Sequence, residues 1–230
     1  MADRAYIQRA HNYPGNTVQL TSVVASSFLW VGTCGTGGTP SSCTDDRSST
    51  WIRKCIGTTL AGAVWTLYNA PSGTINITVT NLSDCGCTAT EISGADSSDP
   101  VSSTAQDDTL ATTAGDNTVT ITGPGDGGAL IHYWGNHTSG GDSYVAFRPA
   151  TGSGITTTGR GHDTGAYDAD GESVGTLGTG SISAGINQSA GANNIYGTYF
   201  VVAITAPNGG GGGGAVIPVF IHHYKQQGAA

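Results

Sequence analysis

The sequence predicts an all-β protein, a single antiparallel β-sandwich of jelly-roll type. Three observations carry this. Residues 74–80, Thr-Ile-Asn-Ile-Thr-Val-Thr, alternate at a period of two, so Ile75, Ile77 and Val79 share one face and Thr74, Asn76, Thr78 and Thr80 the other. Turn-forming Gly, Pro, Asn and Asp clusters punctuate the chain about every 8–15 residues, a spacing that suits some twelve to fourteen short strands. No segment sustains an apolar stripe at helical spacing with capping residues at its ends.

Taken in order, residues 5–11 form a short strand candidate in an N-terminal arm, 1–16, that ends in the turn Pro14-Gly15-Asn16. Residues 17–24 alternate, with Val18, Leu20 and Ser22 on one face, and open the sandwich domain, 17–206. Residues 28–34 are apolar on both faces, as a central strand requires. A Gly-, Thr-, Ser- and Asp-rich loop, 35–49, precedes strands at 51–56 and 64–68. Ala70-Pro71-Ser72-Gly73 is a turn that sets up the 74–80 strand, and 88–92 follows. Residues 94–116 are polar, with one short strand around Val101. Residues 118–122 and 129–134 read as a pair across Gly-Pro-Gly-Asp-Gly-Gly, and 144–147 with 155–158 as a second pair. Residues 159–178 read as a long polar loop, and 181–186 and 195–205 complete the domain.

Composition narrows the function classes. Only 10% of the residues are charged, and the net charge is −8 with 8 Lys+Arg. Without a cationic run, nucleic-acid binding is not expected. No apolar run approaches the roughly 20 residues of a membrane helix, and the first residues lack the apolar core of a secretory signal. Polarity comes from Thr, Ser and Asn, which lets faces meet closely without desolvating charges.

The order of the pieces resembles a β-sandwich module common in phage structural proteins and bacterial surface proteins. An apolar strand ends near Val-Gly (29–32), and an Asp-rich turn leads to Trp (45–51). An aromatic strand ends in Asn-Ala (64–70), and a Gly-led Thr/Val strand follows (73–80). Next comes Glu-x-Ser-Gly-x-Asp-x-x-x-Pro (91–100), and a late apolar strand (199–204) closes the module. The resemblance spans about residues 17–206 and brings no catalytic residues. Together with the missing signal, the Ser/Thr/Gly-rich surface, the lack of an active-site motif and the apolar C-terminal segment, it fits a virion protein made in a host cytoplasm and released by lysis, a capsid decoration protein first and a tail-fibre or adhesin subunit next; a mature fragment or a non-classical exporter is the alternative to that localisation. The expected partners of such a virion protein are copies of itself and other virion proteins such as the major capsid protein. A carbohydrate-binding module, or surface adhesin for a host glycan, is the alternative.

The chemistry-bearing residues are few. Cys34, Cys43, Cys55, Cys85 and Cys87 are open to three readings, namely disulfides across the 34–55 loop, buried thiols, or a metal site. Neither of the spacings Cys-x8-Cys and Cys-x-Cys is a zinc-knuckle spacing. Asp168-Ala-Asp170-Gly-Glu172 has part of a calcium loop's oxygen spacing and also reads as a solvated turn; Asp45-Asp46 and Asp107-Asp108 share the ambiguity. No Gly-x-Ser-x-Gly elbow supplies a nucleophile, and Glu91 and Glu172 are the only glutamates, which disfavours glycoside cleavage by paired carboxylates. No enzymatic activity, metal or other cofactor is expected. Trp30, Trp65 and Trp134 read as core, and Trp51, beside the Asp-rich loop, as the candidate ligand contact.

Residues 207–214 form a linker containing six consecutive glycines, and 215–230 form a C-terminal arm. Val216, Ile217, Val219, Phe220 and Ile221 make this arm greasy on both faces. It folds back on its own sandwich or adds to a neighbouring subunit as an assembly arm.

Overall fold

A computed structural model describes residues 5–12, 15–37, 39–57, 62–80, 83–95, 98, 100–107, 110–111, 115–123, 130–136, 145–152, 159–163, 168–174, 180–188, 195–196 and 199–204. The C-terminal linker and arm, residues 155–158 and the side chain of Trp134 lie outside the described residues.

The described residues form strands and no helix, and every strand pairing is antiparallel. The first eight strands are β1 (Ala5–Asn12), β2 (Thr17–Val23), β3 (Phe28–Gly37), β4 (Cys43–Asp45), β5 (Ile52–Ile56), β6 (Ala63–Leu67), β7 (Gly73–Val79) and β8 (Ser83–Ser93). They make a five-stranded sheet, β1-β8-β3-β6-β5, and a three-stranded sheet, β2-β7-β4. One apolar cluster joins the two. Val18 and Leu20 of β2 and Ile75, Ile77 and Val79 of β7 meet Leu29, Val31, Trp65, Leu67 and Ala89 of the larger sheet. The period-two pattern explains β7: Ile77 is fully buried, while the alternate residues Thr74, Asn76 and Thr78 are not.

The larger sheet is apolar on its other face too. Phe28, Trp30, Cys55, Val64 and Ile92 form a second cluster, against which Ala95 and Val101 pack. This is why β3 and β6 read as continuous apolar runs: both of their faces are covered.

Two differences from the sequence expectation concern this half, and one expected ending finds its reason. β1 is the end strand of the larger sheet, paired to β8 from Ala5↔Ser93 to Asn12↔Cys87, and not a separate arm. In β2 the alternation slips. The register shifts between Leu20 and Val23, Ser22 takes a φ of 54°, and Val23 rather than Ser22 turns inward. Such a bulge lets two consecutive polar residues stay outside. Finally, the strand that ends in Asn-Ala does so for a reason. Asn69 adopts a left-handed φ of 56°, which asparagine tolerates. Ala70 is buried, and its N–H and C=O pair with Ser27 and Ser26. Gly73, at φ 101°, then starts β7.

The remaining strands are β9 (Val101–Asp107), β10 (Leu110–Ala111), β11 (Gly115–Thr122), β12 (Leu130–Asn136), β13 (Val145–Gly152), β14 (Gly159–Asp163), β15 (Asp168–Val174), β16 (Ser181–Gln188), β17 (Ile195–Tyr196) and β18 (Tyr199–Ile204). They form the sheets β14-β15-β12-β18-β9 and β11-β16-β13, with a short β10-β17 ladder. The hairpin expected between 118–122 and 129–134 is replaced by longer-range pairings: β11 pairs with β16, and β12 with β15 and β18; β13 also pairs with β16, and its expected partner, 155–158, lies outside the described residues. Much of the expected 159–178 loop is strand, because β14 and β15 pair with each other. Their Gly and Asp content argues against strand locally, and neighbouring strands override it. Gly152 is required where β13 meets β16. Its φ is 143°, and a Cβ there would lie 2.4 Å from the Ser181 carbonyl oxygen.

Among the described residues, no strand of 5–93 pairs with a strand of 101–204. Side chains make the junction. Gln106 of β9 lays its amide along the edge of β5, donating to the Ile56 carbonyl at 2.8 Å and accepting from the Ile56 N–H at 3.3 Å. Thr104 hydrogen-bonds the Cys55 thiol.

Candidate functional site

The Asp-rich loop after β4 is held by its own carboxylates. Asp45 Oδ1 accepts from the backbone N–H groups of Arg47 (2.9 Å) and Ser49 (3.0 Å), and Oδ2 from the Trp51 indole N–H (2.9 Å). Burial alone would raise the Asp45 carboxyl; the bonds from Ser49, Trp51 and Arg47 outweigh it and hold the group below the usual carboxylate range. Asp46 accepts from Asn76 twice, through the backbone N–H (3.1 Å) and the side-chain amide (2.6 Å), and these bonds lower its carboxyl too. Both aspartates therefore take part in fixing the loop. Among the described residues no group of three or more His, Cys, Asp or Glu is placed to hold a metal ion.

Trp51 is not the exposed platform that its position suggests. It is half-buried, packs against the main core cluster, and its only polar atom is spent on Asp45. A concave surface lies beside it, between the same loop and the β6–β7 turn. A cleft of about 350 Å³ has Ile52, Leu67 and Pro71 among its apolar walls and Arg47, Tyr68 and Asn69 among its polar ones. The Arg47 guanidinium is steadied by the Thr74 carbonyl, through Nη2 at 3.0 Å and Nε at 3.3 Å, and stands 3.9 Å from Asp46. The cleft is open and mixed in polarity. Nothing in the sequence pattern pointed to it, because its walls come from two segments about 20 residues apart with no shared motif.

A second surface is the outer face of β2-β7-β4. Its side chains bond one another across the strands. Thr17 and Thr78 share a hydroxyl contact (3.2 Å), Gln19 donates to Asn76 (2.6 Å), and Thr80 bonds Ser41 (2.8 Å) and Ser42 (2.7 Å). These three strands contain no Lys, Arg or Glu. The face is polar and cross-linked, and its carboxylates stand at the β4 end, where the exposed Asp46 accepts from Asn76.

Glu91 is accounted for structurally. It is fully buried, and its carboxylate accepts from the Val24 N–H (2.8 Å), the Ser27 hydroxyl (2.8 Å) and the Gln8 side-chain amide. It thereby ties β1 and the β2–β3 turn to β8. A carboxylate in register with the inward-facing Cys87 and Ala89 was the signal for this role. Cys43, Cys55 and Cys87 are buried thiols in no disulfide, which removes them from the disulfide reading. They sit on apolar faces, where a thiol packs as a small hydrophobe. Burial pushes Cys43 far up and Cys55 to about 11, partly offset at Cys55 by Thr104 and Lys54. The side chains of Cys34 and Cys85 lie outside the described residues; their backbones stand opposite Gly86 and Gly35.

The partial calcium spacing of Asp168, Asp170 and Glu172 lies within strand β15, paired on both sides, where the chain is extended and does not wrap as a calcium loop does. The assembly residues Val216, Ile217, Val219, Phe220 and Ile221 lie outside the described residues. The sequence matches no protein-family model and no curated protein.

Proposed function

We propose that the protein is a non-enzymatic structural subunit of a bacteriophage particle, a capsid decoration protein first and a tail-fibre or adhesin subunit next. It assembles with copies of itself and with virion proteins such as the major capsid protein. The observation that carries this reading is the outer face of β2-β7-β4. Its hydroxyls and amides are already bonded to one another, and the carboxylate at its end, Asp46, is already bonded by Asn76, so a neighbour can cover the hydroxyls and amides with little desolvation cost. The resemblance of residues 17–206 to modules of phage structural proteins supports the same reading.

The test places charge on that face. Thr17→Lys with Thr74→Lys changes two exposed side chains. The variant should melt as the parent does and should lose at least tenfold in co-sedimentation with intact particles. Unchanged co-sedimentation would remove the support.

The cleft beside Arg47 favours a second reading, a module that binds a host surface glycan. Glycan-array binding that disappears in Tyr68→Ala and persists in the Lys pair would favour it over assembly.

A further inference from the structure

The N-terminal sheets have four outer strands, and contacts among the described residues blunt three of them. The edge of β5 is covered by the Gln106 amide, which bonds both the N–H and the C=O of Ile56. β4 is three residues long and turns directly into the Asp45-centred loop. β2 has two carbonyls capped by side chains of β1: Asn12 donates to Thr17 O (2.6 Å) and Gln8 to Thr21 O (2.7 Å). Covering, shortening and side-chain capping are the ways folded proteins keep an edge from pairing with another chain.

β1 differs. It is eight residues long and ends its sheet. A bulge between Tyr6 and Gln8 leaves Ile7 as an extra residue, turned outward and 38% exposed. Val24 is 53% exposed, and these two are the exposed large hydrophobics among the described residues. They belong to one corner, since Gln8, next to Ile7, and the Val24 N–H both bond the Glu91 carboxylate.

We infer that this corner receives the C-terminal arm, residues 215–224, of a second copy, as a strand added to the edge of β1. This rests on the assembly reading above. Two properties of the chain select the occupant. The arm carries Val216, Phe220 and Ile221, apolar side chains that need an apolar acceptor. The six glycines before it reach roughly 13 Å as a flexible coil and about 20 Å when extended. Main-chain pairing would supply affinity, and Ile7 with Val24 the apolar contact. Pro218, which has no N–H, fits an added strand with one edge open. Reciprocal exchange between two copies or a head-to-tail ring gives the same ratio of one β1 per arm.

The test compares the full chain, a chain ending at Asn208, Ile7→Lys and Val24→Lys by size-exclusion chromatography with light scattering over a hundredfold concentration range. Each variant is first checked for an unchanged thermal melt. A labelled peptide of residues 215–224 is titrated into the shortened chain. The inference expects an oligomer for the full chain and a monomer for the shortened one. It also expects at least a tenfold weaker oligomer for each Lys variant, and peptide binding that Ile7→Lys weakens at least tenfold. An oligomer lost on truncation but untouched by both Lys variants would overturn the β1 acceptor while leaving assembly intact. A full chain monomeric at every concentration, with its arm protected from protease, would show that the arm docks on its own copy, overturning the second-copy occupant. A monomer with a freely cleaved arm would overturn the assembly reading itself.

Discussion

Replacing Glu91 by Ala should destabilise the fold by about 3–5 kcal/mol. The carboxylate has no exposure and accepts three hydrogen bonds, from the Val24 N–H, the Ser27 hydroxyl and the Gln8 amide. A hydrogen bond to a charged group contributes about 1.5–3 kcal/mol. Three would exceed the estimate, but removing the carboxylate also removes the cost of burying it. Ser27 is itself buried, so its hydroxyl is stranded, while Val24 sits at the surface, where water can replace part of its loss. For a chain of this length the estimate corresponds to a fall in melting temperature on the order of 10 °C. Urea unfolding of Glu91→Ala, Gln8→Ala and the double variant closes a cycle, in which the Glu91–Gln8 coupling should be about 1 kcal/mol or more. A loss for Glu91→Ala below about 1 kcal/mol, or additive single losses, would refute the view that this network holds β1 to the fold.

Ile77→Asp should abolish folding, because Ile77 is fully buried in the cluster shared by two sheets and an unpaired carboxylate there costs several kcal/mol by rough estimate; Thr78→Asp, one residue along on the outer face, should remain folded by circular dichroism. Asp45 and Asp46 have folded values below their unfolded ones, so the stability they contribute is present above about pH 4 and is lost as pH falls through the folded values. The urea midpoint should therefore drop on acidification, and less steeply in Asp45→Asn. Cys55, pushed up to about 11, is a neutral thiol at pH 8, so with Cys34 and Cys85 replaced by Ser, labelling by a maleimide should be slow in the native protein and fast in urea. Gly152→Val should weaken the fold, since its Cβ would meet the Ser181 carbonyl at 2.4 Å, which a native-versus-variant melt would record.

The parts of the fold that announced themselves are those where one strand carries its own pattern. β7 alternates strictly, and its burial follows residue by residue. β3 and β6 read as apolar runs because the sheet containing them is covered on both faces. Pairing partners were not legible. Which strand lies beside β11 or β12 depends on contacts about 30 to 75 residues away, and a turn-rich stretch between two strands resembles a hairpin whether or not they pair. β14 and β15 were hidden for a related reason, their Gly and Asp content being that of a loop. Trp51 was misplaced because an aromatic residue beside an acidic loop looks solvent-facing until the Asp45 bond is seen. The cleft at Arg47 and the amide of Gln106 on β5 are purely spatial, each joining segments without a common motif.

The measurement that bears most directly on the central claim is quantitative mass spectrometry of purified particles, before and after a wash in high salt. A structural subunit that assembles through a polar, cross-linked face and an apolar arm should be present in a fixed copy number relative to the major capsid protein. It should also survive the wash, since neither contact depends on exposed ion pairs that salt would screen. A chain absent from the particles, or present only in traces that the wash removes, would contradict the account.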